Sequence, residues 1–115
     1  AYEGRCAITG VASIQVLEAA HIKPYMGEQS NRADNGLLLR ADIHTLFDLG
    51  LIWIDTELRV RIATLLRETE YGKWHETLLR LPVFAGDRPH PAHLGHHRAF
   101  AEEREAKSLP AAEHC

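Results

Sequence analysis

Ala20-His21-Ile22-Lys23-Pro24, Asn35-Gly36-Leu37-Leu38-Leu39 and Asp42-Ile43-His44, with the apolar stripe Ile43, Leu46 and Phe47 running up to Gly50, set the order strand, loop, strand, helix. Residues 14–22 are extended and apolar-rich. Pro24 cannot donate to a ladder, so the strand ends there and leaves His21 near its accessible end. Met26 to Asn35 holds Gly27, Ser30, Asn31, Asp34 and Asn35, a turn-forming composition that predicts a loop. Leu37 to Leu39 then reads as a short buried strand. Asp42 fits a helix N-cap, and Gly50 a helix stop.

Outward from this centre, Cys6 to Gly10 reads as a short strand ending at a glycine. Leu51 to Ile54 and Leu58 to Ile62 flank Asp55-Thr56-Glu57 as the arms of a hairpin. In the second arm Leu58, Val60 and Ile62 share one face and Arg59 and Arg61 the other. Residues 63–81 carry a mostly helical pattern broken near Gly72, and residues 82–91 read as a loop. Pro91 opens a last helix to about Lys107, with Leu94, His97 and Phe100 or Ala101 on one face. The tail, residues 108–115, is expected to fray.

A chain of 115 residues with 45% hydrophobic content can bury one core and not two, which predicts a single domain over residues 1–107. No apolar run approaches the roughly 18 to 20 residues of a bilayer span, and no basic-then-apolar leader opens the chain. The expectation is a soluble, unexported protein. Cys6 and Cys115 lack the close pairing of a zinc knuckle or redox motif, which fits a reducing cytoplasm.

The formal net charge of -3 gives no affinity for a polyanion by itself. Its distribution matters more: Glu102, Glu103, Glu105 and Glu113 gather near the C-terminus, whereas Lys23, Arg32, Arg40, Arg59 and Arg61 fall in or near the central motif. Lys23 and Arg40 flank the motif residues and are candidates for phosphate contact. For Arg59 and Arg61 a solvated face is the plainer reading, with phosphate contact the alternative. Tyr25 could stack on a sugar or base, although packing is plainer.

His21, Asn35 and His44 stand out together, at separations of 14 and 9 residues. Each has an ordinary structural reading alone; their joint spacing points to chemistry. Four residues beyond His44, Asp48 falls on the same helix face, and a histidine and a carboxylate one turn apart suit a divalent cation. His93 and His97 are also one turn apart, with His90 and His96 nearby, but packing is the plainer account of them than a second metal site.

The three stretches together resemble the HNH endonuclease signature, and are particularly similar to an HNH subfamily with the pattern AAHI-P-Y...NGLLLR-D-H-LFD-G-I. The resemblance covers about residues 17–54. It implies an α+β fold with a ββα-metal (His-Me finger) core, here with an additional β-hairpin and flanking helices. It also implies hydrolysis of DNA phosphodiesters with one divalent cation, Mg²⁺ or Mn²⁺ first, with Zn²⁺, Ni²⁺ and Co²⁺ left open. By position His21 would take a proton from water, Asn35 would brace the loop and orient His21, and His44 would bind metal. Neutral imidazole suits the first role because its ordinary pKa lies near the working pH. Ala20 departs from the pattern where many members carry another metal ligand, which leaves Asp48 as the compensating donor. The implied context is the catalytic part of a larger restriction-type enzyme, with other domains or a homodimer as partners. Two alternatives stay open: a catalytically silent nucleic-acid-binding module on the same scaffold, and an interaction domain whose His/Asp cluster is a structural metal site.

Overall fold

A computed structural model of the chain describes residues 2–22 and 35–108, Ser108 by its backbone alone. Lys23, Pro24, Tyr25, residues 26–34 of the expected loop (Arg32 among them) and residues 109–115 of the tail, with Cys115, lie outside the described residues.

Strand β1 (Leu17–His21) pairs antiparallel with β2 (Gly36–Arg40), in a register that sets Glu18 opposite Leu39, Ala20 opposite Leu37 and His21 opposite Gly36. Side chains alternate across a strand, so Glu18, Ala20, Leu37 and Leu39 share one face. That face is buried at Ala20, Leu37 and Leu39. Helix α1 (Ala41–Asp48) follows β2 without a connecting loop and lays Ile43 and Phe47 into the same core. Strand, strand and helix thus form the ββα unit that the sequence order predicts.

Asp42 is not the N-cap. Arg40 occupies that position without a side-chain cap bond, and Asp42 lies inside the first turn. There its carboxylate accepts from the Ile43 N–H, from Arg40 Nε and Nη2 at 2.7 and 2.9 Å, and from the Tyr71 hydroxyl at 2.9 Å. The Arg40 bond is the main cause of its low pKa, about 2. A carboxylate in the first turn also meets the positive end of the helix dipole.

Gly50 does stop α1. Gly50 N–H donates to the Phe47 carbonyl and Leu51 N–H to that of Leu46, with Gly50 at φ +76°. This is the paired-bond terminus that a left-handed residue allows. A Cβ at Gly50 would also fall 2.8 Å from Cε2 of Phe100 on the last helix. Gly50→Ala is therefore expected to lower stability by about 1–2 kcal/mol from backbone strain alone, read as a fall in the urea midpoint at unchanged slope. An unchanged midpoint would show that the helix end relaxes freely.

The hairpin is present as β3 (Ile52–Ile54) and β4 (Val60–Ile62), shorter than expected. Leu58 stands at φ +61°, outside the strand, because Asp55 Oδ1 accepts from the N–H groups of both Glu57 and Arg59 and draws residues 55–59 into a wider loop. All three residues of β3 are buried. Ile52 and Ile54 face the main core, whereas Trp53 joins Leu51, Ala63 and Ala101 in a second cluster against helix α2 (Pro91–Ser108).

Two further expectations are corrected. Residues 6–9 form a turn and not a strand. Ala7 is fastened by single bonds to Leu38 and Arg80, and the Cys6 thiol accepts from the N–H groups of Thr9 and Arg40. Residues 63–81 contain only the 3-10 turns Thr64–Leu66 and Glu70–Trp74. The following segment runs beside β4, with Val60 N–H on Thr77 O, Glu76 N–H on Val60 O and Leu79 N–H on Leu58 O. Tertiary pairing overrides the local helical pattern. Gly72 permits the intervening fold-back, because a Cβ there would overlap the Arg67 carbonyl. Helix α2 matches its expected span, and Ala101, not Phe100, completes its buried stripe with Leu94 and His97.

Candidate metal and hydrolysis site

His21 is the last residue of β1, half-buried, and the next N–H, of Ile22, donates to the Asn35 carbonyl at 2.9 Å. Asn35 is 1% exposed, directly before β2. Its backbone therefore closes the entrance of the long β1–β2 connection beside His21.

His44 lies at the end of the first turn of α1, where the helix crosses the β1–β2 face. Its two ring nitrogens meet two carboxylates: Nδ1 is 2.7 Å from Glu18 Oε1 and Nε2 is 3.1 Å from Asp48 Oδ2. The second contact is the one-turn pairing that the spacing predicts. Glu18 is a residue that sequence reasoning missed. The available signal was its position two before Ala20, hence on the same strand face, toward the helix.

His21, His44 and Asp48 line one cleft of about 480 Å³, whose remaining walls are Ala19, Ile22, His96, His97 and Phe100. The expected base and the expected metal donors are thus brought together, and α2 supplies the opposite wall. The dominance of α2 there was also missed; only the buried phase of His97 hinted at it. Ala20 does not take part. It is 2% exposed, packed in the core.

Among the described residues no group of three or more His, Cys, Asp or Glu side chains converges to hold a metal ion. The adjacent pair in the cleft, His44 and Asp48, offers one imidazole and one carboxylate. That set fits a hard divalent cation which keeps several positions for water and phosphate oxygen.

A second metal site at His93 and His97 is not formed. His97 is 7% exposed, its Nε2–H donates to the Phe47 carbonyl at 2.7 Å, and its ring stacks on Phe47 at 3.7 Å and 3°. It locks α2 to the end of the helix that carries His44 and Asp48. Burial, reinforced by His96, pushes its pKa down, against the opposing effects of the Phe47 bond and Asp48. A histidine with a depressed folded-state pKa contributes stability that is full above its ordinary value of about 6.5 and is lost as pH falls from there through the lowered value. Thermal unfolding should thus show Tm dropping as the pH is taken from 7 to 5, and His97→Phe should flatten that drop. Parallel profiles would assign the acid sensitivity elsewhere.

Arg40, Arg59 and Arg61 lie outside the cleft walls and each has an intrachain partner. Arg40 pairs with Asp42 and lies over the Trp74 ring at 5.3 Å. Arg59 donates to the Glu76 carbonyl, and Arg61 to the Glu76 carboxylate at 3.1 Å. A phosphate at any of them would have to share or displace these bonds. No helix among the described residues is long and apolar enough to cross a membrane.

Comparison with known proteins agrees with the ββα fold. Residues 6–55 match the model of a family described as HNH endonuclease. Among solved structures, one titled "Modification dependent TagI restriction endonuclease" superposes with a TM-score of 0.60 at 25% identity, over 86% of this chain. The chain spans 34% of that protein's length. No match was found among curated proteins.

Proposed function

Because residues 6–55 make this chain a member of the HNH endonuclease family, we propose that it hydrolyses DNA phosphodiester bonds, with His21 as general base and His44 and Asp48 as the protein donors to one divalent cation. The observation that carries this reading is the convergence of His21, His44 and Asp48 on one cleft. DNA is proposed as substrate by analogy with the restriction endonuclease that the fold resembles.

In this reading His21 takes a proton from the attacking water, from a strand end fixed by the Ile22–Asn35 backbone bond. Asn35 acts through that bond as a brace. A cation held by His44 and Asp48 would stabilise charge on the phosphate and the leaving oxygen. Mg²⁺ and Mn²⁺ suit this donor set first. Lys23, Arg40, Arg59 and Arg61 are proposed to contact the phosphate backbone, where they would fix register without reading sequence. The chain would serve as the catalytic part of a longer restriction-type enzyme in the cytoplasm, alone or as a homodimer.

Plasmid relaxation tests the reading. Supercoiled DNA should be nicked or linearised with Mn²⁺ or Mg²⁺ and left intact with chelator. DNA binding without metal-dependent cutting would instead identify a silent module on this scaffold.

A further inference from the structure

The His44 imidazole is held between carboxylates on opposite nitrogens, and the two sides are not equivalent. Asp48, on the Nε2 side, lines the cleft together with His21, whereas Glu18, on the Nδ1 side, is not part of that wall. We propose that Glu18 is the positioning residue of the metal-binding histidine: its carboxylate accepts the Nδ1–H of His44 and so turns Nε2, with its lone pair, toward Asp48 and the cleft. The inference rests on the proposed role of His44 and adds to it the group that sets the ring.

A neutral imidazole offers one lone pair, on the nitrogen that does not carry the proton. The hydrogen bond made by the other nitrogen decides which one that is. Rotation about the terminal ring torsion is broad and roughly two-fold, so an unheld ring could also present carbon where the metal needs nitrogen. A carboxylate 2.7 Å from Nδ1 holds the ring orientation and, being closer than the 3.1 Å between Asp48 and Nε2, favours the proton on Nδ1. Glu18 is well suited to do so, because it stands on a paired strand opposite Leu39, on the same face as the buried Ala20. The same strand ends at His21. β1 therefore carries the base at its end and the orienting carboxylate three residues earlier, which fixes the two histidines relative to each other through one element.

The pair should matter little for folding. Glu18 is 52% and His44 23% exposed at the side chain, and exposed ion pairs contribute little to stability. A loss of Glu18 should thus be read in metal affinity and not in Tm. Removing such an outer carboxylate typically weakens metal binding by about 10–100-fold.

The test is calorimetric titration of Mn²⁺ into the wild-type chain and into Glu18→Ala, Glu18→Gln, Asp48→Asn and His44→Ala, with Tm measured for each. Glu18→Ala should weaken Mn²⁺ binding by about 10–100-fold at nearly unchanged Tm. Glu18→Gln, whose amide oxygen accepts the same Nδ1–H bond, should restore most of the affinity. Equal affinity in wild type and Glu18→Ala would reduce the contact to a surface ion pair and overturn the proposal. Loss in Glu18→Gln as deep as in Glu18→Ala, with Asp48→Asn still binding, would overturn it differently, by making Glu18 itself the ligand. If the wild type binds no Mn²⁺, or His44→Ala binds as well as wild type, the metal reading falls and takes this inference with it. Failure confined to the Glu18 variants leaves that reading standing.

Discussion

His21→Ala should lose DNA cleavage by about two to four orders of magnitude, the usual worth of a general base, while Mn²⁺ affinity and DNA binding largely survive. The expectation follows from where His21 stands. It shares the cleft with His44 and Asp48 but comes from a different element, the end of β1, so its removal leaves both proposed metal donors in place. Because Ala20 is packed in the core and offers no donor, a cation that needed a strand-end ligand would have to recruit His21 itself. The two roles separate cleanly in one variant. If Mn²⁺ binding disappears along with activity, His21 is a ligand and not the base. If plasmid is cut at the wild-type rate, with His44→Ala as the control for contaminating nuclease, the proposed chemistry fails at its centre.

The parts of this molecule legible in its sequence are those governed by local chemistry. A proline-terminated strand and a glycine-stopped helix are short-range signals; β2, α1 and Gly50 stand where those signals put them, whereas β1 begins only at Leu17, because Ile14–Val16, read as extended, forms a 3-10 turn. The one-turn spacing of His44 and Asp48 belongs to the same class: helix geometry alone brings them to 3.1 Å. What was not legible depends on partners distant in the chain. Residues 77–79 run beside β4 because Val60 and Leu58 bond to their backbone, with His75 and Glu76 turning the chain into place, a pairing that no local periodicity announces. Ala7 is set by its bonds to Leu38 and Arg80, and this lone fastening imitates a strand in composition only. The Glu18–His44 contact spans 26 positions, and Glu18 by itself is an unremarkable acidic residue on a half-exposed strand. His97 was legible as a buried position by its phase with Leu94. Its bond to the carbonyl of Phe47, 50 residues away, was not.

His44→Ala should be the most severe single change at the site, losing both Mn²⁺ binding and cleavage. A divalent cation acting as Lewis acid contributes several kcal/mol of transition-state stabilisation, and each 1.36 kcal/mol is tenfold in rate, so a loss of about 10³-fold or more is expected. Asp48→Ala should follow in the same direction but less deeply. Asp48 is the more exposed of the pair, with 59% of its side chain accessible against 23% for His44, so water can replace an aspartate oxygen there more readily than the half-buried imidazole nitrogen. The fold should tolerate both changes, since neither side chain belongs to the core that Ile43 and Phe47 build from the neighbouring face of α1. High Mn²⁺ concentration provides the discriminating condition. If the defect in Asp48→Ala is one of affinity, cleavage should recover as Mn²⁺ is raised, whereas His44→Ala should recover little, because it leaves Asp48 as the one donor of the α1 pair. Unchanged Mn²⁺ affinity in both variants would remove α1 from the metal site altogether, and the ββα unit would then be a scaffold whose chemistry lies elsewhere.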